Sequence, residues 1–590
     1  MIWFLGEQGA LRVERERRAI AELAESVPWL RVVGWRLDRV GVQLCVDADI
    51  VRSEAVSFPV TLRYPDLFPH TPPSVLPRGG MKERWSEHQY LVGDRPDELC
   101  LEYGPDNWTS DLSGADLLRS AHRLLVGEEG EGGGPAPPVP SRHETTLGQE
   151  LRSAWLRFVA TPAFAAFARG LPSAAVVPVT LRSVWQEPSF VAMVGTARPA
   201  ESPAWTDSTV PDDLGAGREG VIVRLQDEEG GITKATSFAE LCGALLGAGI
   251  DLGAWVGAQE TVPEFIVLAA ADRVAVRWRP DTSKDELLRF ETIMAPDDGG
   301  ARVSPACRDL ASKKVAVVGC GSAGSKIGVS LARSGVGHFV LVDDDVLLPG
   351  NLIRNELDWR DVGGHKADGL WNRIKLVNPA ATASVRKRRL SAQEASGSAA
   401  AVLNAVAGCD VIVDATADPT AFNLLSSVVV QEGKPLVWLE IFGGGYGGLV
   451  ARHRPGIDAD PQSMRAGVRD WCVRQGESWP TGTRDYEADR GDAAPLVADD
   501  ADVAVIAAHA ARMALDQLCD GQSGRFPHSI YLVGLAEGWV FKEPFDTRPI
   551  DVDAAEKAVD RGVDPAEVLA GLEFVEGLVR PLLDETAGSR

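Results

Sequence analysis

Apolar positions at helical spacing from Leu11 to Ala24 open the chain, and strand-like runs follow at Leu30–Val40, Val42–Ala48 and Val56–Tyr64. After a Pro-rich turn, an amphipathic helix is predicted at Ala115–Leu125. The resulting α-ββββ-α order predicts an α+β domain over residues 1–126. In Gly127–Ser141, GEEGEGGGPAPPVPS, acid, Gly and Pro replace every apolar residue larger than Val, so residues 127–146 read as a linker, flexible and then stiff.

Residues 147–303 alternate a helix-like stretch (Ala160–Arg169) with strand-like ones at Ala175–Leu181, Gly220–Leu225, Glu264–Ala270 and Val274–Trp278. They predict a middle α/β linker domain without an assignable motif. From Lys314 the pattern becomes strand, Gly turn, helix and strand: Lys314–Gly319, Ser325–Ser334, His338–Asp343. That is a βαβ unit of a parallel sheet. Further strands at Val411–Val413 and Leu436–Glu440, and helices at Met464–Arg474, Ala501–Leu518 and Ala554–Leu583, extend a Rossmann-like α/β domain over 304–590.

Composition narrows the function. The chain has 590 residues and a net charge of −24, which argues against nucleic acid as a partner. No stretch of eighteen residues lacks a charge, so no membrane-spanning helix is expected. The opening residues meet Glu7 and a dense charge run, the wrong order for a secretory signal, and a cytoplasmic location is expected. Eight cysteines without a CxxC pair disfavour a disulfide framework and a zinc site.

Gly319-Cys320-Gly321-Ser322-Ala323-Gly324 is a GxGxxG between strand and helix, where backbone N–H groups and a helix N-terminus can approach phosphate. A tight turn in a packed junction would read the same way. Asp343, which ends the next strand, stands where an acid takes ribose hydroxyls. Then come LVDDDVLLPGNLIRN (Leu341–Asn355), Gly364-His365-Lys366 and Asn378-Pro379.

This longer stretch resembles the adenylating superfamily of ubiquitin-activating and sulfur-carrier-activating (ThiF-like) enzymes. The resemblance implies ATP and Mg²⁺ as cofactors. It gives Gly319, Gly321, Gly324, Asp343, Asp345, Asn351, Arg354 and Lys366 to the nucleotide, with Arg354 and Lys366 also catalytic. Cations suit the chemistry, because a carboxylate attacking the α-phosphate must overcome like-charge repulsion. The family's Mg²⁺-associated acid maps to Asp418 in Asp414-Ala415-Thr416-Ala417-Asp418, one place late. The Gly443–Gly448 run after the strand Leu436–Glu440 offers an extended carrier tail close backbone access, or is a flexible loop.

A conjugating member of that superfamily also carries a thiol in the loop crossing the nucleotide site. The corresponding Arg490–Pro495 has none, so either an engineered Cys→Ala change stands at Ala493 or Ala494, or the step is naturally lost. Cys472, the nearest upstream cysteine, is a weak catalytic candidate and otherwise a buried structural thiol.

In the first domain, Phe58–Pro65, Phe68-Pro69 and Pro72-Pro73, then Leu99-Cys100-Leu101 and Trp108 before the helix, are similar to ubiquitin-conjugating enzymes. Cys100 is the implied acyl carrier. Asp94, Asp97, Glu98, Glu102 and Asp106 surround it, so it is expected to be a poor free nucleophile that reacts mainly when a docked thioester is presented to it. That family's His-Pro-Asn is missing, and His88-Gln89-Tyr90 sits near its place, leaving the oxyanion donor open.

The whole order resembles the bacterial fusions of ubiquitin-conjugating and ubiquitin-activating enzymes found in cyclic-oligonucleotide antiphage signalling. The resemblance implies a carrier protein with an extended C-terminal tail, there a cyclic-nucleotide synthase. It also implies a lysine-bearing target and a homodimer built on the adenylation domains. Three other readings stay open: a sulfur-carrier activator, a dinucleotide oxidoreductase and a non-catalytic scaffold for ubiquitin-like tails.

Overall fold

The computed structural model describes all residues except 1, 39–41, 54–55, 80–84, 86–88, 93–94, 106, 128–150, 152–153, 201, 227–231, 272, 298–304, 391–395, 481–497, 521–523, 553–564 and 588–590. Two compact units make up the chain, residues 1–152 and 153–590. Most of the expected linker lies outside the described residues.

In the first unit, helix α1 (Glu7–Ser26) precedes β1 (Leu30–Asp38), β2 (Gln43–Ser53), β3 (Val56–Arg63) and β4 (Ser74–Pro77). These strands form one antiparallel sheet in chain order. A hairpin of β5 (Gln89–Val92) and β6 (Arg95–Leu99) and then helix α2 (Gly114–Gly127) follow. The predicted α-ββββ-α order is present, with the hairpin as an addition.

Alternate residues of β2 and β3, among them Val46, Ala48, Val60 and Leu62, pack beneath Leu117, Leu118 and Ala121 of α2. The buried face of α1 carries Arg12 and Glu16. Glu16 accepts from Tyr64 Oη at 2.9 Å and from Gly114 N at 2.6 Å, and pairs with Arg12 at 2.9 Å. Both donors meet Oε2, while Oε1 is left to the ion pair with Arg12 alone, and the cluster ties α1 to the first turn of α2.

The second unit opens with β7 (Leu156–Ala160), α3 (Pro162–Gly170), β8 (Val176–Gln186), β9 (Ser189–Ala197), β10 (Trp205–Thr206) and β11 (Ala216–Arg224). Helices α4 (Phe238–Gly247) and α5 (Leu252–Gly257) come next, then β12 (Phe265–Ala269), β13 (Val274–Trp278) and β14 (Leu288–Met294). Strand order is β10-β9-β7-β14-β13-β12-β11-β8, and β8 also pairs with β9. Seven strands therefore close into a ring, with β10 on the edge of β9.

Strand β12 is buried at every position. Phe265, Val267 and Ala269 join one core with Phe158 and Phe290, while Ile266 and Leu268 meet α4 and α5 in another. Burial on both faces is why this strand reads as a continuous apolar run.

The remainder builds on β15 (Lys314–Val318), α6 (Ser322–Arg333), β16 (His338–Val342), α7 (Lys366–Val377) and β17 (Thr382–Arg386). It continues through α8 (Ser396–Ala407), β18 (Val411–Asp414), α9 (Pro419–Glu432), β19 (Leu436–Ile441), β20 (Gly447–His453) and α10 (Pro461–Arg474). The last elements are α11 (Asp500–Asp520), β21 (Ile530–Gly534), β22 (Thr547–Ile550) and α12 (Pro565–Ala587).

Sheet order is β17-β16-β15-β18-β19-β20-β21-β22, parallel through β19 and antiparallel beyond. The chain runs outward from β15 to β17 and returns to β18 on the other side. That leaves a switch-point crevice at the carboxyl ends of β15, β16 and β18, where open α/β sheets bind ligands. Among the described residues, no helix is long and apolar enough to cross a membrane.

Candidate functional sites

Three strand ends meet at the switch point. Gly319 follows β15, Asp343 follows β16 and Ala415 follows β18, and together with Asp345, Lys366 and Asp418 they line a pocket of about 330 Å³. The glycine loop is shaped by contact with backbone. Gly319 adopts φ +85°, and a Cβ there would meet the Ala415 carbonyl at 2.9 Å. A Cβ on Gly324 would stand 1.8 Å from the Gly319 oxygen. Gly321 differs: its Cβ would meet nothing within 4 Å, so the space before the first turn of α6 stays open.

Asp343 is half-buried and accepts from Cys320 N at 2.6 Å and from Asp345 N at 2.8 Å. Burial pushes its carboxyl above the usual range, against those two amides. Lys366 begins α7; its Nζ bonds Asp345 Oδ2 at 2.8 Å, and its backbone N–H donates to Asp345 O at 2.9 Å. The side-chain oxygens of Asp343, Asp344 and Asp345 lie within 4.8 Å of one another.

Asp418 caps α9 by accepting from Thr420 N at 2.7 Å, and its other oxygen is 3.6 Å from Arg389. Behind it, Asp414 accepts from Thr416 Oγ1 at 2.6 Å and is pushed up to about 6 by burial. Glu440, on the neighbouring strand β19, is raised by the same cause and faces Arg465 at 3.4 Å.

The structure thus brings Gly319, Gly321, Asp343, Asp345, Lys366 and Asp418 onto one pocket wall, with Gly324 packed beneath the loop. Asn351 and Arg354 stand outside that wall. Asn351 Oδ1 accepts from Leu348 N at 3.0 Å, and Arg354 Nε donates to Ser322 Oγ at 3.1 Å, beside the start of α6. Sequence reading missed Arg388 and Arg389, which line the pocket from beyond β17. The run Arg386-Lys387-Arg388-Arg389 in so acidic a chain was the available signal.

Four described cysteines are buried, Cys45, Cys320, Cys409 and Cys472, and two of them bear on the sites. Cys320 is enclosed and its thiol lies well above the ordinary value. Cys472, on α10, is fully buried with its thiol pushed up to about 11, a core side chain rather than an accessible nucleophile. Ala493 and Ala494 lie outside the described residues.

In the first unit, Cys100 directly follows β6. Leu99 and Leu101 turn into the core on either side, so Cys100 faces outward into a cleft of about 540 Å³ lined by Pro72, Pro73, Tyr90, Glu98 and Tyr103. Its Sγ is 3.6 Å from Tyr90 Oη. Asn107 braces the loop beyond, donating to Glu102 O at 2.8 Å and accepting from Gly104 N at 2.7 Å. Trp108 Nε1 reaches Pro69 O at 2.8 Å, which ties the Pro-rich turn to that loop. Glu102 is turned onto Arg123 at 2.5 Å, and burial raises the Glu98 carboxyl. Asp94 and Asp106 lie outside the described residues.

Residues 293–479 match the model of the ThiF family. The chain is 36% identical over 122 residues to the ATP-dependent ubiquitin transferase-like protein Cap2 of Enterobacter hormaechei, covering 21% of this chain and 20% of Cap2. Against the adenylyltransferase and sulfurtransferase MOCS3 of Mus musculus it is 32% identical over 160 residues, covering 27% of this chain and 33% of that one. Against the uncharacterized protein y4qC of Sinorhizobium fredii it is 33% identical over 162 residues, covering 27% and 28%. Each matched stretch is a third or less of the relative's own length. A crystal structure of E. coli MccB with ATP is 17% identical, with a TM-score of 0.32, covering 42% of this chain and 66% of that one. The C-terminal part of this chain therefore contains a ThiF-family adenylation domain, with homologues that include the bacterial Cap2 ubiquitin transferase-like protein.

Proposed function

We propose that this chain is an activating and conjugating enzyme in one polypeptide. It adenylates the C-terminal carboxylate of a carrier protein, takes the acyl group onto Cys100 as a thioester and delivers it to a target amine. The observation that carries the reading is the switch-point pocket, where a glycine loop, the half-buried Asp343 and Lys366 converge, in the same chain as the Cys100 cleft.

The residues fit the reactants. The open space at Gly321 and the first turn of α6 receive phosphate, Asp343 retains lone pairs for ribose hydroxyls, and Lys366, Arg388 and Arg389 supply positive charge. Asp418, with Asp344 and Asp345 nearby, would hold Mg²⁺, which when bound neutralises phosphate charge. The carrier carboxylate attacks the α-phosphorus and pyrophosphate leaves. A thiolate then attacks the acyl carbon and AMP leaves, by way of a crossover-loop thiol where one is present, and finally at Cys100. Splitting one amide synthesis into exchangeable acyl steps is covalent catalysis.

The likeness to Cap2 supports an ATP-dependent, ubiquitin-transferase-like reaction, and the resemblance of the domain order to the bacterial fusions implies a cyclic-nucleotide synthase as carrier, a lysine of another protein as target, and a homodimer. The test is non-reducing intact-mass analysis with ATP, Mg²⁺ and the proteins of neighbouring genes, comparing native Cys100 with Cys100→Ala. A thiol-labile adduct that needs both ATP and Cys100 supports the proposal. Pyrophosphate release without any such adduct would reduce it to adenylation alone. That narrower outcome is the sulfur-carrier reading, which the likeness to MOCS3 favours.

A further inference from the structure

We propose that Glu98 is a catalytic residue of the Cys100 centre, its carboxylate receiving the ammonium of a lysine side chain and taking the proton that must leave before nitrogen attacks. The proposal rests on the acyl-carrying role given to Cys100 above. Strand alternation sets the two residues on one face: Leu99 and Leu101 are buried, while Glu98 and Cys100 are both half-buried and line the same cleft. Two residues of extended chain span on the order of 7 Å. A nitrogen placed against an acyl carbon on Sγ is therefore within reach of the carboxylate.

The lining of the cleft says which nucleophile it suits. Among the described residues it carries two acids, Asp66 and Glu98, and no lysine, arginine or histidine. Asp66 is exposed, and Glu102, the acid on the far side of the cysteine, is already turned onto Arg123. The Glu98 carboxyl takes a hydrogen bond from the Ser74 hydroxyl, which leaves it lone pairs for an incoming N–H donor. Its strand is fixed beside it, because Asp97 O accepts from Nε2 of the buried Gln89 at 2.8 Å. Burial pushes the carboxyl above its ordinary value against the Ser74 hydrogen bond, with the charge of Asp97 adding to the rise and that of Arg63 opposing it. A raised carboxyl is a stronger base than an ordinary one in the same place.

An ammonium has no lone pair, so a lysine at neutral pH must lose a proton before it can attack. That proton passes to Glu98. The nitrogen lone pair then forms the C–N bond, and the carbonyl π pair moves onto oxygen. When that pair returns, the C–S bond breaks and sulfur leaves with its electrons. Glu98 gives its proton to the sulfur and the nitrogen sheds its surplus proton to solvent, so carboxylate and thiol are restored and one proton is released. A nucleophile that arrives neutral asks none of this of Glu98, and the loss of the carboxylate falls on cationic amines alone.

The test uses the full chain and a small probe, the mercaptoethanesulfonate thioester of acetyl-glycylglycine, exchanged onto the protein, with the excess removed by desalting. One loaded sample is divided between Nα-acetyl-lysine amide, cationic at neutral pH, and hydroxylamine, neutral there, and discharge is followed by intact mass. Each rate constant belongs to the loaded fraction, so their ratio is independent of how fast or how far the exchange ran. Glu98→Gln is expected to discharge to the lysine amine about 100-fold more slowly than the native chain while keeping its rate with hydroxylamine. A native lysine rate in Glu98→Gln overturns the role of Glu98 and leaves Cys100 as carrier. An equal loss with both nucleophiles overturns it too, since it marks a group that shapes the cleft and handles no proton of the amine. If Cys100→Ala takes up as much probe as the native chain, the carrier role falls, and the role of Glu98 falls with it.

Discussion

Lys366, whose side chain is 12% exposed, is held through Nζ at 2.8 Å by the carboxylate of Asp345, whose side chain is 67% exposed. The acid fixes a cation at the pocket wall while itself remaining in water, so the pair is more a means of aiming the lysine than a source of stability. Lys366→Ala is expected to lower carrier-dependent pyrophosphate exchange by about 100-fold or more. Asp345→Asn, which keeps the cation and loosens its aim, should cost no more than about tenfold. Equal losses in the two variants would contradict this division of labour.

The glycines of the loop should respond differently to the same methyl group. Gly324→Ala forces a Cβ to within 1.8 Å of a backbone oxygen and should destabilise the protein by more than about 3 kcal/mol. Gly321→Ala meets open space. It should leave thermal unfolding within about 0.5 kcal/mol of the parent, yet weaken ATP binding measured by calorimetry. A stable Gly324→Ala, or unchanged ATP affinity in Gly321→Ala, would refute the geometry.

Asp414 gives a pH signature. Its folded value, about 6, lies above that of an unfolded Asp, so its contribution to stability is fully present below the unfolded value and disappears as pH rises through 6. Asp414→Asn has no such loss. In EDTA, the variant should gain on the parent by on the order of 1 kcal/mol between pH 5 and pH 8. Denaturant unfolding at the two pH values checks this, and a constant difference between variant and parent would show that Asp414 titrates normally.

Cys472→Ala should behave as a core truncation. A loss of about 1 to 2 kcal/mol in stability is expected, with thioester formation at Cys100 unchanged in intact-mass analysis. Loss of the Cys100 adduct in a folded Cys472→Ala would make Cys472 part of the transfer path.

Local signals were the legible ones. The glycine loop and Asp343 belong to one βαβ unit whose period and turn residues are contiguous, Lys366 follows it closely in the chain, and Cys100 stood out through the proline and tryptophan residues around it. What could not be read is whatever parallel pairing brings together from afar. Arg388 and Arg389 reach the pocket because β17 lies beside β16, and Glu440 meets Asp414 only because β19 lies beside β18. Closure of the middle ring was equally hidden, since it depends on β8 pairing with both β9 and β11, strands between which the chain order gives no preference. Strands β7, β9, β10 and β14 were missed with it.

The contrast among the glycines also bears on how this loop can drift over generations. Gly319 and Gly324 are held by carbonyls of the main chain, and no repacking of neighbouring side chains moves those aside, so compensating substitutions for them are scarce. Gly321 is under no such guard: the fold tolerates a side chain there, and under the proposed function it is the phosphate of a bound nucleotide that would exclude one. A lineage that had abandoned the pocket would accumulate changes at that position first, while its neighbours stayed fixed for the sake of folding. In this chain position 321 is still glycine.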